Sequence, residues 1–154
     1  MPAQSDQRER DVEEFFHHLT PQELRDRFGL PGGSTVDWLL ERLAHDANRA
    51  AFVARVGGRV AGVLDCVRDA NEIEFGIVVA TEFRRRGIGS ALVRRLLAAT
   101  DRSGTSLIAS CELGNTPALG LLRGLGFRRR ALRGGTVWLE ERSAARDHNE
   151  TTVA

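Results

Sequence analysis

The sequence contains no lysine and no tyrosine among its 154 residues, and it has only two cysteines, Cys66 and Cys111. Two distant thiols that form no Cys-x-x-Cys pair exclude a disulfide framework and a zinc-ribbon site. The four histidines show no ligand spacing with these cysteines, so we predict no metal and two buried, reduced thiols.

Long apolar runs and an excess of one charge are also missing. No stretch approaches the roughly 20 apolar residues that span a bilayer, and the N-terminus lacks the apolar segment of a signal peptide. We therefore expect a cytoplasmic protein that is neither secreted nor membrane-bound. The 22 basic and 21 acidic residues leave a net charge of +1, which argues against a dedicated nucleic-acid-binding protein.

The length predicts one domain, at roughly 100–200 residues per domain. We assign residues 1–141 to that domain, with residues 1–10 frayed and residues 142–154 a disordered tail. Hydrophobic periodicity predicts helices over 11–19, 21–29, 36–46, 88–99 and 116–124, and strands over 51–56, 59–67, 72–79, 105–111, 127–133 and 136–140. This order predicts a mixed α/β sheet, of the α+β type, with helices on both faces.

Two helix starts have recognisable caps. Thr20, Pro21 and Glu23 form the pattern of a capping box, with Thr20 as N-cap. Ser34 or Thr35 is the expected cap of the third helix, after a loop over residues 30–33.

The most informative segment is a loop between a predicted strand and a predicted helix, where three arginines precede Gly87 and Gly89. Glycines let the backbone turn with its N–H groups exposed at the positive end of the helix dipole, which suits a phosphate or pyrophosphate. The segment is neither a Walker A loop nor a Gly-x-Gly-x-x-Gly motif. Taken alone, it also fits a basic turn before an ordinary helix.

Two segments resemble a known family. Arg84-Arg85-Arg86-Gly87-Ile88-Gly89 matches the Arg/Gln-x-x-Gly-x-Gly/Ala acyl-CoA loop of the GNAT N-acetyltransferase superfamily. The segment from Asn115 to Phe127, with its Leu-Gly-Phe ending, looks like that superfamily's second signature. The segment from Phe16 to Gly29 is similar, over a shorter match, to the start of bacterial protein-lysine acetyltransferase domains.

The resemblance implies a splayed, mostly antiparallel sheet with one parallel strand pair, 72–79 and 105–111, and acetyl-CoA bound between those two strands. It also implies that a strand precedes the first helix, and we find none in residues 1–10. The co-substrate contacts that the resemblance implies are Ile77, Val78 and Val79 along the pantetheine arm, Arg84, Arg85, Arg86, Gly87, Ile88, Gly89 and Ser90 around the pyrophosphate, and Asn115, Ala118 and Leu122 on the opposite side.

A base is needed because an amine with a pKa near 10.4 is protonated at neutral pH. On the strand 72–79, Glu72 and Glu74 share one face with Gly76, and their repulsion should raise at least one of the two pKa values. The same pattern also fits a half-exposed strand with a polar outer face. Glu74 lies ten residues before Arg84, the offset of the catalytic glutamate in the protein-lysine acetyltransferases it resembles, so Glu74 is the first candidate base and Glu72 the second.

Many members of this family use a tyrosine to protonate the departing CoA thiolate. That position is Leu122 here, and the chain has no tyrosine, so this acid is missing or replaced. The leading prediction is transfer of acetyl from acetyl-CoA to a primary amine, with a protein lysine favoured by the resemblance. A small-molecule amine acetyltransferase and a non-catalytic acyl-CoA-binding module remain alternatives. We expect no nucleic-acid or membrane partner, and a monomer or a homodimer.

Overall fold

A computed structural model describes residues 4–29, 33–101 and 103–141. Helices and strands follow the predicted order, and their bounds are α1 (Gln4–His17), α2 (Pro21–Phe28), α3 (Gly33–His45), β1 (Arg49–Val56), β2 (Arg59–Asp69), β3 (Glu72–Val79), α4 (Ile88–Ala99), β4 (Ser106–Glu112), α5 (Thr116–Gly124), β5 (Arg128–Arg133) and β6 (Thr136–Glu141). No helix in this described part of the chain is long and apolar enough to cross a membrane.

The six strands form one sheet in the order β1-β2-β3-β4-β6-β5. Four of the five neighbouring pairs are antiparallel, and only β3 and β4 run parallel. This confirms the predicted mixed sheet with one parallel pair. The crossover between the parallel strands is α4, because parallel neighbours cannot be joined by a tight turn.

A hydrophobic core lies on each face of the sheet. On one face, inward side chains of β2, β3, β4 and β6 pack against α4 and α5, with Phe75 and Phe127 in edge-to-face contact at 5.6 Å. On the other face, Val63 and Val78 pack against α1 and α3 through Phe16, Val36 and Leu39. The two cores follow from the strict alternation of side chains along each strand.

The N-terminal segment differs from the prediction. The sequence predicts fraying over residues 1–10, but α1 already begins at Gln4. Its first turns are held by polar contacts: Gln7 donates to Asp11 at 2.9 Å, and the Arg8 guanidinium donates to the Ala51 carbonyl on β1. Because these residues are polar, they add nothing to the apolar pattern by which a helix is predicted from sequence. From Gln4 onwards, the N-terminal residues in which we find no strand pattern are helical.

The capping prediction is confirmed for α2 and wrong for α3. The Thr20 hydroxyl accepts from the Glu23 N–H at 3.1 Å, and Glu23 accepts from the Thr20 N–H at 2.8 Å. In contrast, α3 begins at Gly33, so Ser34 and Thr35 lie inside its first turn and neither precedes the helix as an N-cap. The rest of the expected loop, residues 30–32, and the expected tail, residues 142–154, lie outside the described residues.

Candidate active site

The parallel strands β3 and β4 separate halfway along β3. Their pairing runs from Glu72 opposite Ser106 to Phe75 opposite Ala109 and stops there. The remaining residues of β3, from Gly76 to Val79, pair only with β2 on the other side. A gap therefore opens in the middle of the sheet, between the second half of β3 and the second half of β4.

The backbone of β3 presents unpaired polar groups to this gap. The Ala80 N–H donates to the Ala61 carbonyl at 2.9 Å, so the alternation of an extended strand directs the groups of Val78 towards β2 and those of Ile77 and Val79 towards the gap. The Val79 carbonyl already accepts from Arg84 Nε at 3.1 Å. Of the three predicted pantetheine contacts, the backbones of Ile77 and Val79 therefore face the gap, and Val78 faces β2 with a buried side chain.

The loop after β3 has the backbone geometry of an anion site. Arg85 has φ 64° and Gly87 has φ 77°, both left-handed, on either side of Arg86. Gly87 is the N-cap of α4, and no side chain caps this helix. The N–H groups of its first turn are therefore free of intrahelical partners, at the positive end of the dipole. A left-handed arginine is strained, and such strain is commonly kept at functional sites.

The three loop arginines are not equivalent. Arg84 reaches back to Asp26 on α2 at 3.2 Å as well as to the Val79 carbonyl, so its guanidinium is already bound within the protein. The Arg86 guanidinium lies over the Phe83 ring at 5.6 Å. Arg85 and Arg86 are exposed beside the loop amides, where they can add charge to an anion site.

The Leu121 side chain of α5 packs directly against α4 at Gly89, because Gly89 has no side chain. A Cβ at Gly89 would lie 2.6 Å from Leu121 Cδ1, and 3.6 Å from Ile77 Cδ1 at the edge of the gap. The resemblance implies that Leu122 contacts the co-substrate, and the structure places Leu122 in the buried core. The side chain that stands opposite Gly89 is that of Leu121, one residue earlier.

The start of α5 follows the turn after β4. The Asn115 side chain accepts from the Ala118 N–H at 3.3 Å and caps the helix, and Pro117 occupies the first turn. Ala118 is partly buried against the core. Asn115 therefore has a structural role in the described geometry, and its position at the end of the turn after β4 keeps it near the gap.

The two candidate carboxylates lie on the opposite face of the sheet from α4 and α5. Glu72 forms an ion pair with Arg130 of β5 at 3.1 Å, so the two glutamates are not an isolated like-charge pair. Glu74 is exposed and has no hydrogen-bond or ion-pair partner among the described residues. It lies one residue before the last paired position of β3. A cavity of about 310 Å³ adjoins it, lined by Asp46, Asn48, Val67, Arg68, Asp69, Glu72, Glu74 and Ile108.

Sequence reasoning missed an ion pair at the mouth of the gap. The Arg27 guanidinium binds Asp65 of β2 with three contacts, two from Nη2 at 2.7 and 2.6 Å and one from Nε at 3.2 Å. Asp65 stands opposite Gly76 in the β2–β3 register. The available signal was a single acid in the apolar run from Ala61 to Val67, which is unusual for a buried strand.

Glu23 connects α2 to the loop that precedes the anion site. Its carboxylate is buried and accepts from both the N–H and the hydroxyl of Thr81, at 2.8 and 3.2 Å, besides its capping bond to Thr20. Burial raises the pKa of Glu23, but the hydrogen bonds from Thr20 and Thr81 outweigh it, and the net pKa is lowered. The carboxylate is thus held in its charged form as a fixed link between the two segments.

The two cysteines and a second groove are the remaining features of the structure. The cysteines are free and buried, as predicted, and burial raises the pKa of both the Cys66 and the Cys111 thiol. A more open groove of about 600 Å³ runs between α1, the β1–β2 turn and the start of α2, with the Asp11–Arg55 ion pair along its wall. In the described part of the chain, no three side chains come together as metal ligands.

Comparison with known proteins assigns this arrangement to a family. A family model for the acetyltransferase (GNAT) family matches residues 12–127. The structure is similar to the GNAT domain of Streptomyces lividans PAT, with a TM-score of 0.73 and 20% identity over 86% of this chain and 84% of that one. It is also similar to an acetyltransferase from Thermus thermophilus, with a TM-score of 0.69 and 24% identity over 86% of this chain and 91% of that one.

A third similar structure was solved with a bound molecule. The PaiA N-acetyltransferase of Thermoplasma acidophilum, in complex with coenzyme A, matches with a TM-score of 0.69 and 13% identity over 87% of this chain and 94% of that one. At these identities the three structures establish a common fold, and the family model extends over three quarters of the sequence. This chain belongs to the GNAT acetyltransferase family and is an N-acetyltransferase.

Proposed function

We propose that the protein transfers an acetyl group from acetyl-CoA to the ε-amine of a lysine in a protein, with Glu74 as the general base. The observation that carries this proposal is the position of Glu74, an exposed and unpartnered carboxylate at the point where β3 leaves β4. A base there can take a proton from an amine that enters from one face of the sheet while the thioester lies in the gap.

The residues around the gap fit acetyl-CoA as the co-substrate. The outward backbone groups of Ile77 offer strand-like hydrogen bonds to the amides of a pantetheine arm. The first turn of α4, with Arg85 and Gly87 in left-handed conformations, offers N–H groups to a pyrophosphate. The absence of a side chain at Gly89 keeps the α4 surface beside Ile77 free of bulk at the edge of the gap.

The surroundings of Glu74 favour a cationic acceptor. The adjoining cavity is lined by four carboxylates and Arg68. Asp46 is paired with Arg49 and Glu72 with Arg130, which leaves the carboxylates of Asp69 and Glu74 against the Arg68 guanidinium. A protonated amine is attracted to this surface before it loses its proton. A lysine ε-amine on a four-carbon stem can reach past the rim to Glu74, which supports lysine as the acceptor.

The chemistry is a direct transfer within a ternary complex. Glu74, directly or through one water, accepts the proton of the amine, and the amine nitrogen forms a bond to the thioester carbonyl carbon. The carbon–sulfur bond then breaks and the sulfur leaves with the electron pair as a thiolate. A thiol pKa near 8.5 makes this a tolerable leaving group without an acid at the position of Leu122.

The proposal is tested by transfer of radiolabelled acetyl from acetyl-CoA to the proteins of a bacterial lysate and to a lysine-containing peptide. Wild type should label discrete protein bands, and Glu74→Gln should lower turnover by about 10²–10⁴ while it keeps acetyl-CoA binding. Because the sequence has no lysine, lysine labelling of the enzyme itself gives no background.

Glu72→Gln is the matched control. It removes a carboxylate from the same face of the same strand, but one that is already paired with Arg130. It should retain most of the turnover. Equal losses in both variants would mean that the negative surface, and not a base at Glu74, supports the reaction. Label on free amines alone would shift the acceptor to a small molecule.

A further inference from the structure

The outer side of β1, which we call the β1 edge, is one end of the sheet. β1 has β2 on one side, and no strand among the described residues pairs with the other. The run from Ala50 to Ala54 is apolar, and it precedes the register irregularity between Ala54 and Arg55. An unpaired, apolar strand edge of this kind is where folded chains tend to pair with each other.

The strand at the other end of the sheet, β5, has its own protection. Its six residues include four arginines, and its register with β6 shifts between Arg129 and Ala131. Charged side chains and bulges of this kind prevent the pairing of an edge strand. The apolar run of β1 has neither, so any protection of the β1 edge comes from other elements.

The backbone groups that point away from β2 are those of Ala51 and Val53. The Arg68 N–H donates to the Asn48 carbonyl at 2.9 Å just before β1 begins. Hydrogen-bonded positions alternate along an antiparallel strand, so the even-numbered residues of this run bond to β2. The carbonyls of Ala51 and Val53 therefore lie on the β1 edge.

Two arginines occupy both of these carbonyls. The Arg8 guanidinium of α1 donates to the Ala51 carbonyl, and Arg95 Nη1 of α4 donates to the Val53 carbonyl at 2.9 Å. The Arg95 guanidinium also lies 5.3 Å from the centre of the Phe52 ring. Because α1 and α4 pack on opposite faces of the sheet, the two side chains reach the edge from both faces.

We infer that Arg8 and Arg95 close the β1 edge against pairing with a second copy of this chain. A neighbouring strand binds such an edge by donating its N–H groups to the outward carbonyls. Guanidinium groups already donate to both carbonyls, so a second strand has to displace them. A second copy is the partner that fits an opened edge, because two identical edge strands pair antiparallel about a two-fold axis.

The closure depends on hydrogen bonds and not on packed apolar side chains. A cavity of about 440 Å³ lies along the edge, lined by Val53 and by polar residues of α1, β1 and α4. Both arginines are exposed. Removing their donor groups should therefore open the edge without disturbing either hydrophobic core.

The test removes both donors and measures self-association. Arg8→Met/Arg95→Met keeps long side chains at both positions but loses their N–H groups. In sedimentation equilibrium, its association constant should exceed that of wild type by about 10–100-fold, because two hydrogen bonds no longer compete with those of a second strand. Circular dichroism and retained CoA binding check that the variant is folded.

Arg10→Met/Arg94→Met is the matched control. It removes one arginine from each of the same two helices, so it changes the net charge by the same amount. In the part of the chain that the structure describes, neither side chain has a hydrogen bond to β1, and Arg10 donates to Gln7. This control should associate no more tightly than wild type.

Two measurements locate the new contact. Val53→Pro removes an N–H that β2 does not use, and edge strands tolerate proline at such positions. Added to Arg8→Met/Arg95→Met, it should return the association constant to the wild-type value. Independently of that variant, amide hydrogen exchange of residues 51–53 in Arg8→Met/Arg95→Met should slow as the protein concentration rises.

Each other outcome overturns the inference. An Arg8→Met/Arg95→Met variant that associates no more tightly than wild type shows that the arginines do not close the edge. Equal association of Arg10→Met/Arg94→Met assigns the effect to net charge. Tighter association without slowed exchange at residues 51–53 places the contact elsewhere, and wild type that already shows this slowing has an open edge.

Discussion

On one face of the sheet, the gap is lined by backbone: the outward groups of Ile77 and the first turn of α4. On the other face, the structure beside the gap is held by side chains that come from distant parts of the sequence. Arg27 meets Asp65 across 38 positions, and Glu23 meets Thr81 across 58. A site made of backbone depends on a short local motif, whereas a site made of charged side chains depends on the whole fold being correct.

The largest expected effect is the loss of unfolding free energy in Arg27→Ala, which breaks the buried ion pair with Asp65. It leaves the Asp65 carboxylate buried and unpaired, which should cost about 3–5 kcal/mol of unfolding free energy. Urea unfolding followed by circular dichroism measures it. Arg59→Ala, which breaks the exposed Arg59–Glu82 pair, should cost at most about 1 kcal/mol. Similar costs for both variants would mean that burial does not set the cost of breaking an ion pair in this protein.

Glu23→Gln tests the link between α2 and the loop before the anion site. The amide replaces one acceptor oxygen with a donor that faces Thr81, and the loss should be about 1.5–3 kcal/mol, the range for bonds to a charged group. Because the folded pKa of Glu23 is lowered, its contribution is full above its unfolded value of 4.5 and disappears as pH falls through the lower folded pKa.

The pH series provides its own control. The difference in unfolding free energy between wild type and Glu23→Gln should be constant near neutral pH and shrink below pH 4.5, the unfolded value. A difference that does not change with pH would assign the loss to packing and not to the charged carboxylate.

On the backbone-lined face, Gly89→Val should weaken CoA binding and also lower the stability of the protein. A side chain at Gly89 meets Leu121, which must move, and its methyl groups then stand against Ile77 at the gap. Overpacking of this kind costs about 1–3 kcal/mol of unfolding free energy, and we expect the Kd for CoA by calorimetry to rise about tenfold. Leu121→Ala added to Gly89→Val should recover part of the affinity, and no recovery would place the obstruction elsewhere.

The smallest expected effect is a small gain in the stability of the protein. Gly120 lies in α5, and a Cβ added there would meet no atom within 4 Å. Gly120→Ala should therefore stabilise the protein by about 0.5–1 kcal/mol and leave the Kd for CoA unchanged. A change in affinity from this substitution would mean that the helix itself, and not only Leu121, responds to the co-substrate.

The parts that sequence reasoning predicts are those with local causes. The bounds of β3, α4 and α5 agree with the structure, and Gly87 and Gly89 are recognisable because their conformational demands lie within one short loop. The start of α1 was missed because its contacts are polar and partly tertiary, as with Arg8 and Ala51. Arg27, Asp65 and Gly76 come into contact only when α2 packs on the sheet. They belong to three different elements, so neither helical nor strand periodicity in the sequence predicts that they meet.

The attachment of α2 has a consequence for how the two substrates influence each other. At the beginning of α2, Glu23 binds Thr81 in the loop that leads into the anion site. Further along α2, Asp26 pairs with Arg84 of that loop, and Arg27 pairs with Asp65 of β2 on the face of the sheet that carries Glu74. One helix is therefore a common support for two binding sites. By thermodynamic linkage, any factor by which acetyl-CoA changes the affinity for the amine is matched by an equal effect of the amine on acetyl-CoA.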